Sequence, residues 1–293
     1  MISKRSSLIA IALFICLGTL YFFVFTPWGV HTFGETLFGG KEQQAYAPDD
    51  YPTEVDTIVG LARTIALPEN VKQPSGIDFN AENALFLVTD QAEIIELTDD
   101  FAAINSSVTI SNKPLLFRQG SVESLDCYQD KMYIGGDLGV IEIWEEANGG
   151  WQKVDAIQPQ IKQGANIDAE AEALAVDPSN GNIYIGKESL ITIIDQQGQM
   201  IREFNLQMPA KSGRSVSEYL IAGMDFHKGA LYVITEYHSA ILKVNPDTGE
   251  VGFIYAIEGI TEGAGLTVTD DAFFVVVDHE LNEASPGMKM YWR

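Results

Sequence analysis

The chain has 293 residues, 46% of them hydrophobic, and its 18 Lys plus Arg against 41 Asp plus Glu give a formal net charge of −23. This length can bury a large core, in one large domain or two modest ones. Because so acidic a surface repels phosphate backbones and anionic lipid headgroups, nucleic-acid binding is excluded from the predicted functions. Cations and basic partners are favoured, although for most of the acids the simplest interpretation is solubility.

The first segment of the chain has the features of a membrane anchor. Lys4 and Arg5 precede an uncharged apolar run at 8–25, of about the length that spans a thin hydrocarbon core. No small-residue cleavage pattern follows this run, so we expect an uncleaved transmembrane signal anchor. Because the positive charge lies on the N-terminal flank, residues 1–7 are predicted to stay cytoplasmic and the bulk of the chain to be exported.

The residues after the anchor are predicted to form a tether. Residues 26–54 include Gly39, Gly40, Pro48 and Pro52 and show no sustained periodicity. The folded domain is therefore expected to span 55–293.

The two cysteines cannot form a disulfide within this domain. Cys16 lies in the predicted anchor, which leaves only Cys127 in the exported part. Cys127 lies in a strand-like run, which indicates a small buried hydrophobic residue; a reactive thiol is the alternative.

Five apolar, strand-like runs in the domain each end on a carboxylate at their sixth residue. With 41 acidic residues among 293, five such coincidences in register indicate a repeat. The runs are 85–90, 132–137, 183–188, 231–236 and 273–278, and the terminal acids are Asp90, Asp137, Glu188, Glu236 and Asp278.

Each of these runs follows a small residue that precedes an Ile, Leu or Met. The small residues recur at intervals of about 40 to 50 residues, which is typical of β-propeller blades. Short runs rich in Val, Ile, Tyr and Phe alternate with turns such as 177–181 and 245–249, and this pattern indicates strands. The small residues are Gly76, Ser124, Ala173, Gly223 and Gly265.

The predicted fold class is all-β, a five-bladed β-propeller with one N-terminal transmembrane helix. The third repeat shows four strands, at 173–176, 182–187, 190–195 and 200–206. The fifth repeat ends after its third strand, so the orphan strand at 56–67 is predicted to close the last blade. This arrangement gives five blades and twenty strands; a six-bladed propeller, the alternative, needs a repeat that the sequence does not show.

Closure as a propeller brings the acids to one mouth of the central channel. The five terminal acids fall at turns between the second and third strands, and Glu123, Glu172 and Glu262 precede innermost strands on the same face. Like charges this close require a bound cation, neighbouring donors or raised pKa values. We therefore predict that the acids bind a ligand, with Glu123, Glu172, Glu188 and Glu236 as candidate Ca²⁺ ligands. The alternative is that they accept backbone N–H bonds and tie adjacent blades together.

Other chemistry has little support in the sequence. Nucleophile-elbow, P-loop, H-E-x-x-H, C-x-x-C and EF-hand patterns are absent from the chain. His31, His227, His238 and His279 show no metal-ligand spacing, although His238 and His279 could edge the acidic face.

The repeat units resemble those of the SdiA-regulated (YjiK-like) family of membrane-anchored bacterial β-propellers. The similarity covers roughly 57–280 and rests on the segments 73–80, 84–90, 93–97, 171–174 and 231–236. Glu123 and Glu172 match the glutamate that family members carry before the innermost strand, whereas Ala264 departs from it. The resemblance implies a propeller on the periplasmic side of the inner (plasma) membrane, held by a single span.

Two functional classes remain from the sequence. The first is a non-enzymatic binding or scaffold module whose acidic mouth takes Ca²⁺, another cation or a basic protein partner. The second is a calcium-dependent phosphoesterase, by analogy with phytase-like propellers. Phosphate sites usually include several Lys or Arg, and only Lys187 lies beside a predicted mouth acid, so the sequence favours binding over catalysis.

Overall fold

The computed structural model describes residues 55–110, 122–136, 139–160, 170–209, 219–236, 238, 240–260, 263–277 and 287–293. The predicted cytoplasmic segment, transmembrane anchor and tether therefore lie outside the described residues. Within the described ranges, no helix has the length and apolar character needed to cross a membrane.

Every regular element in the described ranges is a β-strand. Apolar and β-branched residues dominate these strands, as expected for sheets that are buried on both faces. The strands are β1 (Thr57–Val59), β2 (Leu61–Ala66), β3 (Pro74–Phe79), β4 (Leu85–Thr89), β5 (Glu93–Leu97), β6 (Ile104–Thr109), β7 (Val122–Tyr128), β8 (Lys131–Gly136), β9 (Ile141–Ala147), β10 (Gly150–Ile157), β11 (Ala173–Val176), β12 (Ile183–Lys187), β13 (Leu190–Ile194), β14 (Met200–Asn205), β15 (Ile221–His227), β16 (Ala230–Thr235), β17 (Ala240–Val244), β18 (Val251–Ile257), β19 (Gly263–Val268), β20 (Ala272–Val277) and β21 (Gly287–Trp292).

These strands form five sheets, which are the blades of a propeller. Blade I is β3-β4-β5-β6, blade II is β7-β8-β9-β10 and blade III is β11-β12-β13-β14. Blade IV is β15-β16-β17-β18 with β1 added outside β18, and blade V is β19-β20-β21-β2. The first strand of each blade contacts the first strands of both neighbouring blades, so these five innermost strands form a closed ring. The five-bladed prediction is confirmed.

A separate hydrophobic core fills each of the five interfaces between neighbouring blades. Between blades V and I, for example, Ile65, Leu87 and Met288 belong to one buried cluster. Equivalent clusters lie between blades I and II, II and III, III and IV, and IV and V. Each blade is therefore apolar on both faces, which explains why the strand-like runs in the sequence are apolar throughout rather than alternating.

Turn chemistry sets the hairpins as the sequence predicts. Gly181 N donates to Asp177 O at 2.8 Å, and Gly249 N donates to Asn245 O at 2.9 Å. Both glycines adopt a positive φ, near +76° and +77° respectively, which other residues rarely tolerate. The Asp177 side chain also accepts from Ser179 N at 2.9 Å and stabilises the first of these turns.

The N-terminal strand closes the ring, but not as one element. β2 pairs antiparallel with β21, from Leu61 opposite Tyr291 to Ala66 opposite Gly287, which confirms the predicted closure of blade V. The predicted continuous strand at 56–67 is wrong, because β1 instead pairs in parallel with β18 of blade IV. Asp56 fixes β1 there by donating its N–H to Ile254 O at 3.0 Å and accepting from Ile254 N at 2.9 Å. The described strands therefore number 21 rather than the expected twenty.

The small residues of the repeat lie where the innermost strands approach most closely. A Cβ on Gly223 would lie 2.8 Å from Gly265 Cα, and one on Gly265 would lie 3.1 Å from Gly76 Cα. The backbones of blades IV, V and I therefore meet directly at this level. This close approach is the physical reason for the repeated small residue.

Candidate functional site

The acidic mouth is the face at which the second strand of each blade ends and the innermost strand begins. Backbone hydrogen bonds join the end of a second strand to the start of the innermost strand in the next blade. Ile221 N donates to Glu188 O at 2.7 Å, and Ala171 N donates to Gly136 O at 3.2 Å. The predicted shared face is thus present in the structure. Its described acids are Asp90, Glu123, Glu172, Glu188 and Glu236. Asp137, Glu262 and Asp278 lie outside the described residues.

A β-bulge at the start of four innermost strands inserts one extra residue beside this mouth. The bulge falls between Val122 and Ser124 in β7. Glu123 therefore lies within the strand, whereas the sequence pattern placed it just before the strand. The equivalent bulged residue of blade I is Ser75, whose hydroxyl donates to the Asp90 carboxylate. Blades IV and V carry Ala222 and Ala264 at this position.

The surroundings of Glu172 perturb its carboxyl. It is half-buried, and its Oε2 accepts the N–H of Glu188 at 3.1 Å. Desolvation raises its pKa, and the negative charges of Glu170 and Glu236 add to this rise, whereas the Glu188 N–H and Lys187 oppose it. Lys187 itself forms an ion pair with Glu170. The carboxyl of Glu172 therefore lies where negative charge is already costly.

The structure brings some of the predicted site residues together and separates others. In blade III, Glu188 N donates a hydrogen bond to the Glu172 carboxylate. The charge of Glu236 in blade IV adds to the rise in the pKa of Glu172. Asp90 lies in blade I and Glu123 in blade II, both half-buried. Over the ranges that the structure describes, no group of three or more His, Cys, Asp or Glu side chains could hold a metal ion. The role of these acids as ligands stays a prediction.

His238 lies beside the mouth but is buried. Its side chain is 3% exposed, and its ring centroid lies 5.1 Å from that of Tyr219. His279, its predicted counterpart, lies outside the described residues.

Cys127 lies in the innermost strand of blade II and is partly buried against the core between blades I and II. Desolvation raises the pKa of its thiol well above the usual value, and Asp78, Asp126 and Asp225 raise it further. Because the thiolate is the reactive species, this environment supports the buried-hydrophobe interpretation over the reactive thiol.

We expect Cys127 to react slowly with a thiol reagent in the native protein. With Cys16 replaced by serine, labelling at pH 8 should be at least about tenfold slower in the folded chain than in denaturant, because burial suppresses the thiolate. The measurement is the absorbance time course of a chromogenic disulfide reagent. Equal rates in the two states would contradict the assignment.

The sequence interpretation missed three acids on the innermost strands. Asp78, Asp126 and Asp225 lie two residues after the small residue of their repeats and are 8%, 5% and 8% exposed. Blade V has Thr267 at this position and blade III has Ala175. In the repeat alignment this position lies three residues after that of Glu123 and Glu172, and only three of the five repeats carry an acid there.

Each of these acids bonds to the innermost strand of the following blade. Asp78 Oδ2 accepts from Cys127 N at 2.7 Å, Asp126 Oδ2 accepts from Val176 N at 3.1 Å, and Asp225 Oδ2 accepts from Val268 N at 2.6 Å. The blade-tying role that was the alternative for the mouth acids is thus performed here by a different set of acids. The hydrogen bond from Glu188 N to the Glu172 carboxylate, by contrast, stays within blade III.

Comparison with known proteins identifies the architecture alone. No protein-family model matches the chain, and no curated protein matches it. A glutaminyl cyclase from Myxococcus xanthus superposes with a TM-score of 0.59 at 15% identity, covering 80% of this chain and 97% of that one. A luciferin-regenerating enzyme gives 0.49 at 10% identity over 78% and 94% of the two chains. The PQQ-bound aldose sugar dehydrogenase of Streptomyces coelicolor gives 0.46 at 8% identity over 80% and 97%. At these identities the likeness extends to the fold and not to an activity.

Proposed function

We propose that the chain is an exported, membrane-anchored β-propeller of the SdiA-regulated type that acts as a binding or scaffold module. Its acidic mouth takes a cation such as Ca²⁺ or a basic ligand. The proposal combines the anchor predicted at 8–25 and the family resemblance with the arrangement of the mouth acids. It assigns no catalytic residue.

The environment of Glu172 is the observation that carries this proposal. Its half-buried carboxyl has a raised pKa, first through desolvation, and the charges of Glu170 and Glu236 disfavour its ionised form further. A cation bound beside Glu172 and Glu236 would stabilise the ionised form and relieve this repulsion. Binding would then release a proton and strengthen as the pH rises above the ordinary range of a glutamate.

Thermal unfolding with and without ligand tests the proposal. In the full-length chain, millimolar Ca²⁺ or a polyamine present at 100 times its dissociation constant should stabilise the fold by about 2 to 3 kcal/mol. For a domain of this size that corresponds to a rise in Tm of roughly 5 to 10 °C. The double variant Glu172→Gln/Glu236→Gln should lose most of this rise, because its mouth no longer carries the two charges.

A matched control separates the mouth from the overall charge. Glu82→Gln/Glu203→Gln removes the same two charges from exposed positions in a turn of blade I and on β14. This control should keep the full ligand-induced rise. No rise in the wild-type protein with either cation, or an equal loss in both double variants, would contradict the proposal. Ca²⁺-stimulated phosphatase turnover in the same samples would instead support the phosphoesterase alternative.

A further inference from the structure

The innermost ring of the propeller contains three acids that the proposed function does not use. Asp78, Asp126 and Asp225 occupy equivalent positions in blades I, II and IV, and each is more than nine-tenths buried. Each carboxylate accepts a backbone N–H from the following blade. The three side chains therefore lie at blade interfaces, where they hold successive blades together.

One hydroxyl connects two of these carboxyls. Thr267 Oγ1 lies 2.8 Å from Asp78 Oδ1, to which it donates, and 3.4 Å from Asp225 Oδ2. A proton on Asp225 can be shared with the Thr267 oxygen while the Thr267 proton is donated to Asp78. The pair can thus hold one negative charge between them without losing a hydrogen bond.

The donors are distributed unequally among the three acids. Within the described residues, Asp78 accepts from Cys127 N, from Phe79 N at 2.8 Å and from Thr267 Oγ1, whereas Asp126 accepts from Val176 N. Burial raises the pKa of Asp78 to about 6, with these donors opposing the rise. Burial also raises the pKa values of Asp126 and Asp225 well above the ordinary value, and the charge of Asp78 adds to both rises. Asp78 is therefore the member of the ring whose ionised form has three donors to stabilise it.

The groups that face the ring do not neutralise it. Blade II adds the thiol of Cys127 and the phenol of Tyr133. Burial raises the pKa of this phenol, and the charge of Asp126 adds to the rise. Blade III adds Ala175 at this level, and its Asp177 is engaged by Ser179 and Asn180 in its own turn. On β15, His227 follows Asp225 by two residues and contacts Asp270 at 2.9 Å. Blade V contributes the uncharged Thr267.

We propose that Asp78, Asp126, Asp225 and Thr267 form a pH-dependent hydrogen-bonded cluster, which holds the blades together most strongly when its carboxyls are protonated. A neutral carboxyl keeps an oxygen that accepts the N–H of the next blade, and it adds no charge to the channel. Ionisation leaves the same hydrogen bonds in place but forces like charges together in a desolvated ring. The exported domain would therefore become looser as its surroundings become more alkaline.

The direction of this pH dependence follows from linkage. The folded ring binds protons more tightly than the unfolded chain, in which aspartates titrate at their ordinary pKa of about 4. The contribution of the ring to stability is therefore complete below that value. It is lost as the pH rises toward and through the folded pKa values, which begin at about 6 for Asp78.

The first test compares Tm values of the full-length chain between pH 5 and pH 8. Asp126→Asn keeps a side-chain oxygen for Val176 N and removes the titration, so it should raise Tm at pH 8 by about 5 °C more than it does at pH 5. The control is Asp155→Asn, because the exposed Asp155 also accepts a backbone N–H, from Ala156 at 2.8 Å. This control should change Tm equally at the two pH values. An Asp126→Asn variant with the pH dependence of the wild type would overturn the proposal.

A second measurement begins with the wild-type chain and so does not depend on a variant that could fail to fold. Carbon-13 NMR of the aspartate carboxyls in the native chain should show three midpoints raised above the ordinary aspartate range, with that of Asp78 at about 6. Thr267→Val should move the Asp78 midpoint upward, because it removes a donor to the Asp78 carboxylate. Titration of all the aspartate carboxyls in the ordinary range near 4 would refute the proposed pH-dependent cluster.

Discussion

Replacing Gly223 with alanine is expected to destabilise the propeller by about 3 kcal/mol or more. The added Cβ would lie 2.8 Å from Gly265 Cα and 2.9 Å from Leu266 N, and both of these are backbone atoms of blade V. Side chains can rotate away from such a contact, but the backbone of an innermost strand cannot. Blades IV and V must therefore separate, which also disturbs the bond from Val268 N to Asp225.

Gly252→Ala is the matched control for this prediction. Gly252 lies on the outer strand β18 of the same blade, and the nearest atom to an added Cβ is Lys243 O at 4.0 Å. This variant should be unchanged or up to about 1 kcal/mol more stable, because alanine restricts the unfolded chain. The measurement is the unfolding free energy from denaturant titration of each variant. Equal stability of the two variants would show that the inner ring has room for a side chain.

Deleting residues 57–66 from the full-length chain is expected to abolish cooperative unfolding. The deletion removes β1 and β2, together with the buried Val59 and Ile65, from the cores on both sides of blade V. It also leaves the full length of β21 as an unpaired edge. We expect exposed hydrophobic surface, measured by dye binding, and the loss of a single thermal transition.

Deletion of ten residues elsewhere controls for length. Removing 42–51 shortens the predicted tether by the same amount and should leave the thermal transition unchanged. A single transition at the wild-type temperature after deletion of 57–66 would mean that the ring closes without its N-terminal strands.

The blade architecture could be predicted because its signals are local. The acid-terminated runs correspond to the second strand of every blade, from β4 to β20, and the turns at 177–181 and 245–249 form as predicted. These features depend on residue type within a few positions. The division of the N-terminal strand into β1 and β2 does not depend on nearby residues. It depends on the pairing of β1 with Tyr255 to Ile257, about 200 residues away.

The sites were harder to predict than the fold. The terminal acids attract notice because every repeat has one, yet the bulges at Ser75 and Glu123 decide which residues are inserted at the start of the innermost strands. A bulge depends on the neighbouring strand and has no simple sequence signature. The inner acids were overlooked for a different reason. Ala175 and Thr267 interrupt their repeat, so they form a pattern only once burial is known.

The pairing of β2 with β21 also has a consequence for how the protein is made. β2 is synthesised near the beginning of the domain, but its partner appears only after the other blades have been made. At about 5 to 20 residues per second, the early strand waits on the order of ten seconds or more without its native neighbour. During this interval β2 presents an edge that has no native partner strand. Completion of the ring is then the step that pairs β2 with β21 and closes the core between blades V and I.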